Sequence, residues 1–225
     1  MEKQPQYHDD LIAIYTAFRD QVHNARAVLH PSCADDASPS RVFDTVTYVD
    51  LDQEAMRVFR EHRLDAHGQD IREYKPTQEH DLLILLNPQI PTEWASQHIR
   101  KGAYILANNY HGNATGMYER PDAFEMIGVI DFVESDRRTG DNRVVFSRNL
   151  EGLFEPVRDF EELRELRPDA YDFIGTAFEH LYKMYDGDRL GNTPEERYKI
   201  VKEMMGESEE LPAKRVADRY IFVKR

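Results

Sequence analysis

The chain has 225 residues, of which 40% are hydrophobic and 32% charged, with a formal net charge of −13. That length supports one sizeable core with a small appendage, and the acidic balance argues against nucleic acid or an acidic membrane surface as partner. The lone Cys33 excludes an internal disulfide, and with no basic leader and no apolar run of about 18 residues the expectation is a soluble, cytoplasmic protein.

Residues 5–24 read as an amphipathic helix, because Leu11, Ile14 or Tyr15, Phe18 and Val22 fall on one face. Short apolar runs follow at 27–29, 46–49, 64–66, 81–86, 103–107 and 124–132. The runs D-L-L-I-L-L at 81–86 and A-Y-I-L-A at 103–107 do not alternate, which suits strands buried on both faces. Helical stretches at 52–62 and 91–100 lie between strands, with Asp52 placed to cap the first and Pro91 to open the second. Strands alternating with helices imply βαβ units and an α/β, doubly wound, mostly parallel sheet. Beyond it, 134–142 reads as an exposed hairpin or loop and 142–147 as a strand. Residues 159–185 carry a helical pattern broken at Pro168, with Ile174, Phe178, Leu181 and Tyr185 on one side. Thr193-Pro-Glu-Glu196 is a capping box, Gly206 follows the helix it opens, and 220–223 (Y-I-F-V) reads as a closing strand. The whole reads as a single domain with a helical appendage at 150–210, before the last strand.

Chemistry gathers after the strands. The first ends in His30-Pro-Ser-Cys-Ala-Asp-Asp36, where Ser32, Cys33 and Ala34 are small enough for a ligand to approach the backbone. The second, V-T-Y-V-D-L-D, ends in Asp50, Leu51 and Asp52; a carboxylate there accepts two donors at once. The third is followed by H-G-Q-D-I at 67–71, the fourth by Asn87-Pro88, and the fifth by Asn108-Asn109-Tyr110-His111-Gly112. A histidine's unperturbed pKa lies near neutrality, so His111 is a candidate general base. His30, His67 and His111 all follow strands, but no H-E-x-x-H or paired C-x-x-C spacing is present, and no metal is expected. No G-x-S-x-G elbow is present either, and Cys33 is expected to pack rather than react.

In order and spacing these motifs resemble those of class I S-adenosylmethionine-dependent methyltransferases, over roughly residues 10–132. Ser32 and Ala34 stand where that family has the first two glycines of G-x-G-x-G, and His30 or Pro31 where it has an acid. The resemblance implies that Asp50, with Leu51 beside it, takes the ribose hydroxyls. It implies that Asp70 lies at the adenine amino group and Ile71 on the adenine face. Asn87-Pro88 is similar to the [D/N]-P-P-aromatic ending of amino-methylating members; Gln89 and Ile90 depart from it, so nucleic-acid methylation is not expected. The implied cofactor-binding set is thus His30, Pro31, Ser32, Cys33, Ala34, Asp50, Leu51, Asp70, Ile71 and Asn87, with Asn87 and His111 as catalytic candidates. The implied cofactor is S-adenosylmethionine, and the expected acceptor is a small molecule. The implied fold is a Rossmann-like sheet of order 3-2-1-4-5 plus an antiparallel edge hairpin, with 124–132 paired to 220–223. Two other functions stay open. A degenerate relative serving as a binding or interaction module is favoured by the glycine-free turn. An NAD-dependent oxidoreductase would also want a strand-end acid, but its G-x-G-x-x-G is absent.

Overall fold

The computed structural model describes residues 4–133, 143–172, 193, 195–196, 198–199 and 211–225. The segment 134–142, the residues Ile174, Phe178, Leu181 and Tyr185, and Gly206 lie outside the described residues. Two compact units make up the chain: Met1–Leu150 with Ala217–Arg225, and Glu151–Val216.

The first unit opens with helix α1 (Asp9–Gln21), which buries Ile14, Tyr15, Ala17 and Phe18. Strand β1 (Val28–Pro31) is followed by a single 3-10 turn, Ser38–Arg41, instead of an α-helix. Strand β2 (Val46–Asp50) leads into α2 (Gln53–Glu61), and β3 (Asp65–Gly68) follows. Asp52 caps α2 as expected, its side chain accepting from the amides of Glu54 and Ala55 at 3.0 Å each. Strand β4 (His80–Leu85) is buried at every position. Its Leu82 and Ile84 join Ile14, Phe18, Met56 and Phe59 in one cluster, while Leu83 and Leu85, equally buried, alternate to the other side. Burial on both faces is why this run is continuous rather than alternating.

Helix α3 (Thr92–Ser96) is shorter than the 91–100 stretch expected from sequence, and Pro91 is its N-cap. The correction has a tertiary cause. The His98 ring bonds the carbonyl of Ile71 at 2.7 Å, and Ile99 pairs with His80, so strand β5 (Ile99–Ala107) begins where the helix was expected to continue. Helix α4 (Asn113–Tyr118), β6 (Phe124–Val133), β7 (Arg143–Ser147) and, after the second unit, β8 (Arg219–Lys224) complete the layer.

Among the described residues the sheet has eight strands, in the order β3-β2-β1-β4-β5-β8-β6-β7. The first five are parallel; β8 runs antiparallel to both β5 and β6. This is the Rossmann-like order 3-2-1-4-5 expected from the sequence, with the chain's last strand inserted beside β5. The pairing of 124–132 with 220–223 is present, Met126 opposite Phe222 and Val129 opposite Tyr220. Neither strand is outermost, however: β7 pairs with β6 and forms that edge. Strand order reverses at β1, with β2 on one side and β4 on the other, and a doubly wound sheet has its ligand crevice beyond the carboxyl ends of such strands.

In the second unit, α5 (Phe160–Leu166) is capped by Asp159, which accepts from the amide of Glu162 at 2.9 Å. Val157, Phe160, Leu163 and Tyr198 form its small core, with the Phe160 and Tyr198 rings edge-to-face at 5.6 Å. The capping box is formed: the amide of Glu196 donates to Oγ1 of Thr193 at 3.2 Å, and that of Thr193 to Oε2 of Glu196 at 3.4 Å.

Candidate functional site

The turn after β1 keeps the backbone shape of a glycine turn without glycine. Ser32 and Ala34 have φ of 51° and 50°, in the left-handed region that costs an L-residue roughly 1–2 kcal/mol. Such strain persists only where surroundings impose it, and here they do. The amide of Ser32 donates to the carbonyl of Val49, and that of Ala34 to Oδ2 of Asp50, each at 2.9 Å. From the other side, the amide of Gln6 donates to the carbonyl of Asp35 and the amide of Ala37 to the carbonyl of Gln6, both at 2.8 Å. The segment ahead of α1 thus clamps the turn, a long-range contact with no signature in the local pattern.

Asp50, the last residue of β2, spends one bond of each oxygen internally, on the amides of Ala34 and Asp52. A carboxylate oxygen has two acceptor sites, so each keeps one. Leu51 beside it is 68% exposed, an apolar side chain left bare at the ligand edge. Cys33 is buried, and burial, with the nearby Asp50 charge, pushes its thiol well above the usual value; it packs. Pro31 is buried at the end of β1. His30 lies inside β1 rather than in the turn, 1% exposed, and burial holds its pKa below the ordinary value despite Asp36 and Asp50. Its ring packs against Tyr48, the centroids 5.8 Å apart.

After β3, Asp70 is held by its own neighbour. Its carboxylate accepts from the Arg72 amide at 2.8 Å and from the Arg72 guanidinium at 3.0 and 2.6 Å. Those bonds pull its pKa down to about 2. The same guanidinium lies 4.1 Å from the Trp94 ring centre. Ile71 is 5% exposed and belongs to the core.

The ends of β4 and β5 form a second assembly. Asn87, also left-handed at φ 53°, exchanges bonds with Asn108: the Asn87 amide donates to Asn108 Oδ1 at 3.1 Å, and Asn108 Nδ2 returns a bond to Asn87 Oδ1. The amide of Gln89 donates to Oγ of Ser32 at 3.3 Å, which joins this loop to the β1 turn. Asn109 accepts from the Thr115 amide at 2.9 Å. Asn113, 6% exposed, donates to the carbonyl of Ile90 and Oγ1 of Thr92, both at 3.1 Å. Between these loops lies a cavity of about 460 Å³, with His111 in its wall, a volume suited to a small molecule. Arg72, Asn113 and this cavity are site features that sequence reasoning missed; each depends on which loops become neighbours. Among the described residues no cluster suited to a metal ion is present, and no helix is long and apolar enough to cross a membrane.

The chain matches no family model, and no curated protein matches it in sequence. Among solved structures it is similar to the N-methyltransferase NodS from Bradyrhizobium japonicum, in complex with S-adenosylhomocysteine: 11% identity, 56% of this chain and 80% of that one, TM-score 0.43. It is also similar to a SAM-bound amino pentose methyltransferase from Micromonospora echinaspora (18% identity, 46% and 50% covered, TM-score 0.38). A sugar N-methyltransferase from a Streptoalloteichus species matches at 12% identity, 47% and 49% covered, TM-score 0.35. Likenesses this distant assign no family and no activity; the strand order and the site geometry stand by themselves.

Proposed function

We propose that this chain is an S-adenosylmethionine-dependent methyltransferase acting on a small-molecule acceptor. The observation that carries this reading is the β1 turn: Ser32 and Ala34 held left-handed, with Asp50 bonded to the Ala34 amide. A strained backbone cradle facing a half-exposed acid at a topological switch point fits a nucleotide-type cofactor, and the side chains in it are small. Asp50 would take the ribose through its remaining acceptor sites, and Leu51 would cover an apolar face. The turn of Ser32 to Ala34 would meet the methionine part, with Asn87 beside it.

When bound, S-adenosylmethionine supplies an already activated methyl group, so the protein's task is alignment. The Asn87–Asn108 pair and the Ser32–Gln89 bond fix the loop between cofactor turn and cavity. His111, exposed at the cavity, is positioned to accept a proton from an acceptor that must lose one.

A second reading, a binding module on the same fold, draws on different groups. Asp70 is engaged on both oxygens by Arg72, and His30 and Ile71 are core residues. Calorimetry with S-adenosylmethionine, S-adenosylhomocysteine and NAD separates the readings. Binding of the first two supports the methyltransferase; well-folded protein that binds none of the three sinks it and favours the module. Binding of NAD alone would turn the assignment to an oxidoreductase.

A further inference from the structure

The cavity between the β4–α3 and β5–α4 loops has a composition that selects its occupant. Pro88, Ile90, Met117 and Phe124 give it apolar walls. Its one carboxylate, Glu93, is already paired with Arg120, whose guanidinium also lies 5.3 Å from the Phe124 ring centre. Among the described residues no other carboxylate, lysine or arginine lines it, so no uncompensated charge is left there to hold a cationic or anionic group. Two glycines, Gly112 and Gly116, form part of the wall, and a Cβ built on either meets nothing within 4 Å. The space against them is open to a flat group.

The loop 108–112 carries two rings, one of which, His111, lines the cavity, with Tyr110 next to it in the chain. Its flanks are fixed, by Asn108 to Asn87 and by Asn109 to Thr115. Between those anchors Tyr110 is 78% exposed, edge-to-face with His111 at 4.9 Å, and His111 lines the cavity. A tyrosine so exposed on a braced loop offers its ring to a partner at little ordering cost.

We infer that the acceptor is an uncharged, planar aromatic molecule bearing a hydroxyl or N–H group, seated against Met117, Phe124 and the two glycines, with Tyr110 stacking on it and His111 facing the group that loses its proton. This rests on the methyltransferase reading. In the transfer, the acceptor's oxygen or nitrogen forms the bond to the methyl carbon as the carbon–sulfur bond of S-adenosylmethionine breaks. Sulfur keeps that electron pair, and the acceptor's proton passes to a His111 nitrogen.

The test uses the full chain, with 2-naphthol and 5-hydroxyindole as probes and glucosamine and cyclohexylamine as contrasts. Binding is measured by calorimetry and ligand-observed NMR, with S-adenosylhomocysteine titrated separately into the same preparations. The aromatic probes should bind and the amines should not. Gly116→Leu, which meets open space and replaces a helical glycine, should weaken the aromatic probes at least tenfold. Tyr110→Ala should weaken them about fivefold, and both variants should bind S-adenosylhomocysteine as the wild type does. Amines that bind in place of the aromatics, or aromatic binding indifferent to Gly116→Leu, would overturn the inference. S-adenosylhomocysteine binding without aromatic binding defeats this inference alone. Aromatic binding that follows the two variants, with no S-adenosylhomocysteine binding, upholds the cavity's selectivity and defeats the methyltransferase reading.

Discussion

Two aspartates at opposite ends of the parallel strands do similar work and keep different reserves. Asp81, near the amino end of β4, is 6% exposed and accepts from the amides of Arg26 and Ala27 and from the His23 ring, at 3.0 to 3.2 Å. Asp50, at the carboxyl end of β2, accepts one backbone amide on each oxygen and is half-buried. The first carboxylate is fully engaged in joining β4 to the start of β1. The second braces a strained turn and still has acceptor sites facing the ligand edge. One chemistry, a carboxylate on backbone amides, thus serves folding where it is saturated and, on the proposed reading, binding where it is not.

The largest effect expected is at Asp81. Asp81→Ala removes charge-assisted bonds of about 1.5–3 kcal/mol each and leaves buried amides unmet, so urea unfolding should show a loss of about 3 kcal/mol. Ligand affinity of the remaining folded protein should be unchanged; altered affinity would erase the division between the two ends.

A smaller effect follows from two histidines buried in the sheet, His30 and His80, and from the half-buried His98 just ahead of β5. Burial lowers the pKa of His80 and of His98, and in the same way that of His30. Their folded pKa values lie below the unfolded value of about 6.5, so the unfolded chain takes the proton first. The stability is present above that pH and is lost as pH falls through the folded values. Unfolding midpoints should be flat above about pH 6.5 and decline below it, and His80→Leu should flatten the decline. A midpoint that rises on acidification contradicts this assignment.

The smallest effect is at the turn. Ala34→Gly removes the cost of a left-handed Cβ but adds chain entropy to the unfolded state, for a net gain of about 0.5–1 kcal/mol. A measured loss of stability would mean that Ala34 is not held left-handed, and the contrast between a strained turn and a saturated clamp would fail.

Much of the fold is legible because local rules and tertiary structure agree. The unbroken apolar run of β4 needs two covered faces, and Asp52 before an amphipathic stretch needs only its own helix. The 91–100 stretch misleads because His98 and Ile99 are claimed by Ile71 and His80, partners far away in sequence. In the candidate site, Ser32, Ala34 and Asp50 could be picked out by position at strand ends. That Gln6 clamps the turn and that Asn87 pairs with Asn108 could not, because each bond joins segments far apart in sequence; Arg72 lies only two residues from Asp70, and the pattern of residue types alone does not say that its guanidinium turns back onto that carboxylate. His30 belongs to the strand and not to the turn because β1 runs to Pro31.

The central claim is that Asp50 and the left-handed turn together hold S-adenosylmethionine. Calorimetric titration of S-adenosylhomocysteine into the wild type and Asp50→Ala tests it most directly. The account predicts binding to the wild type and a loss of about 10- to 100-fold in the variant, with unfolding free energy lowered by about 1.5 kcal/mol, less than at Asp81 because water reaches the amides of Ala34 and Asp52 that lose their acceptor. Equal affinity in the two proteins, or no binding to a fully folded wild type, contradicts it.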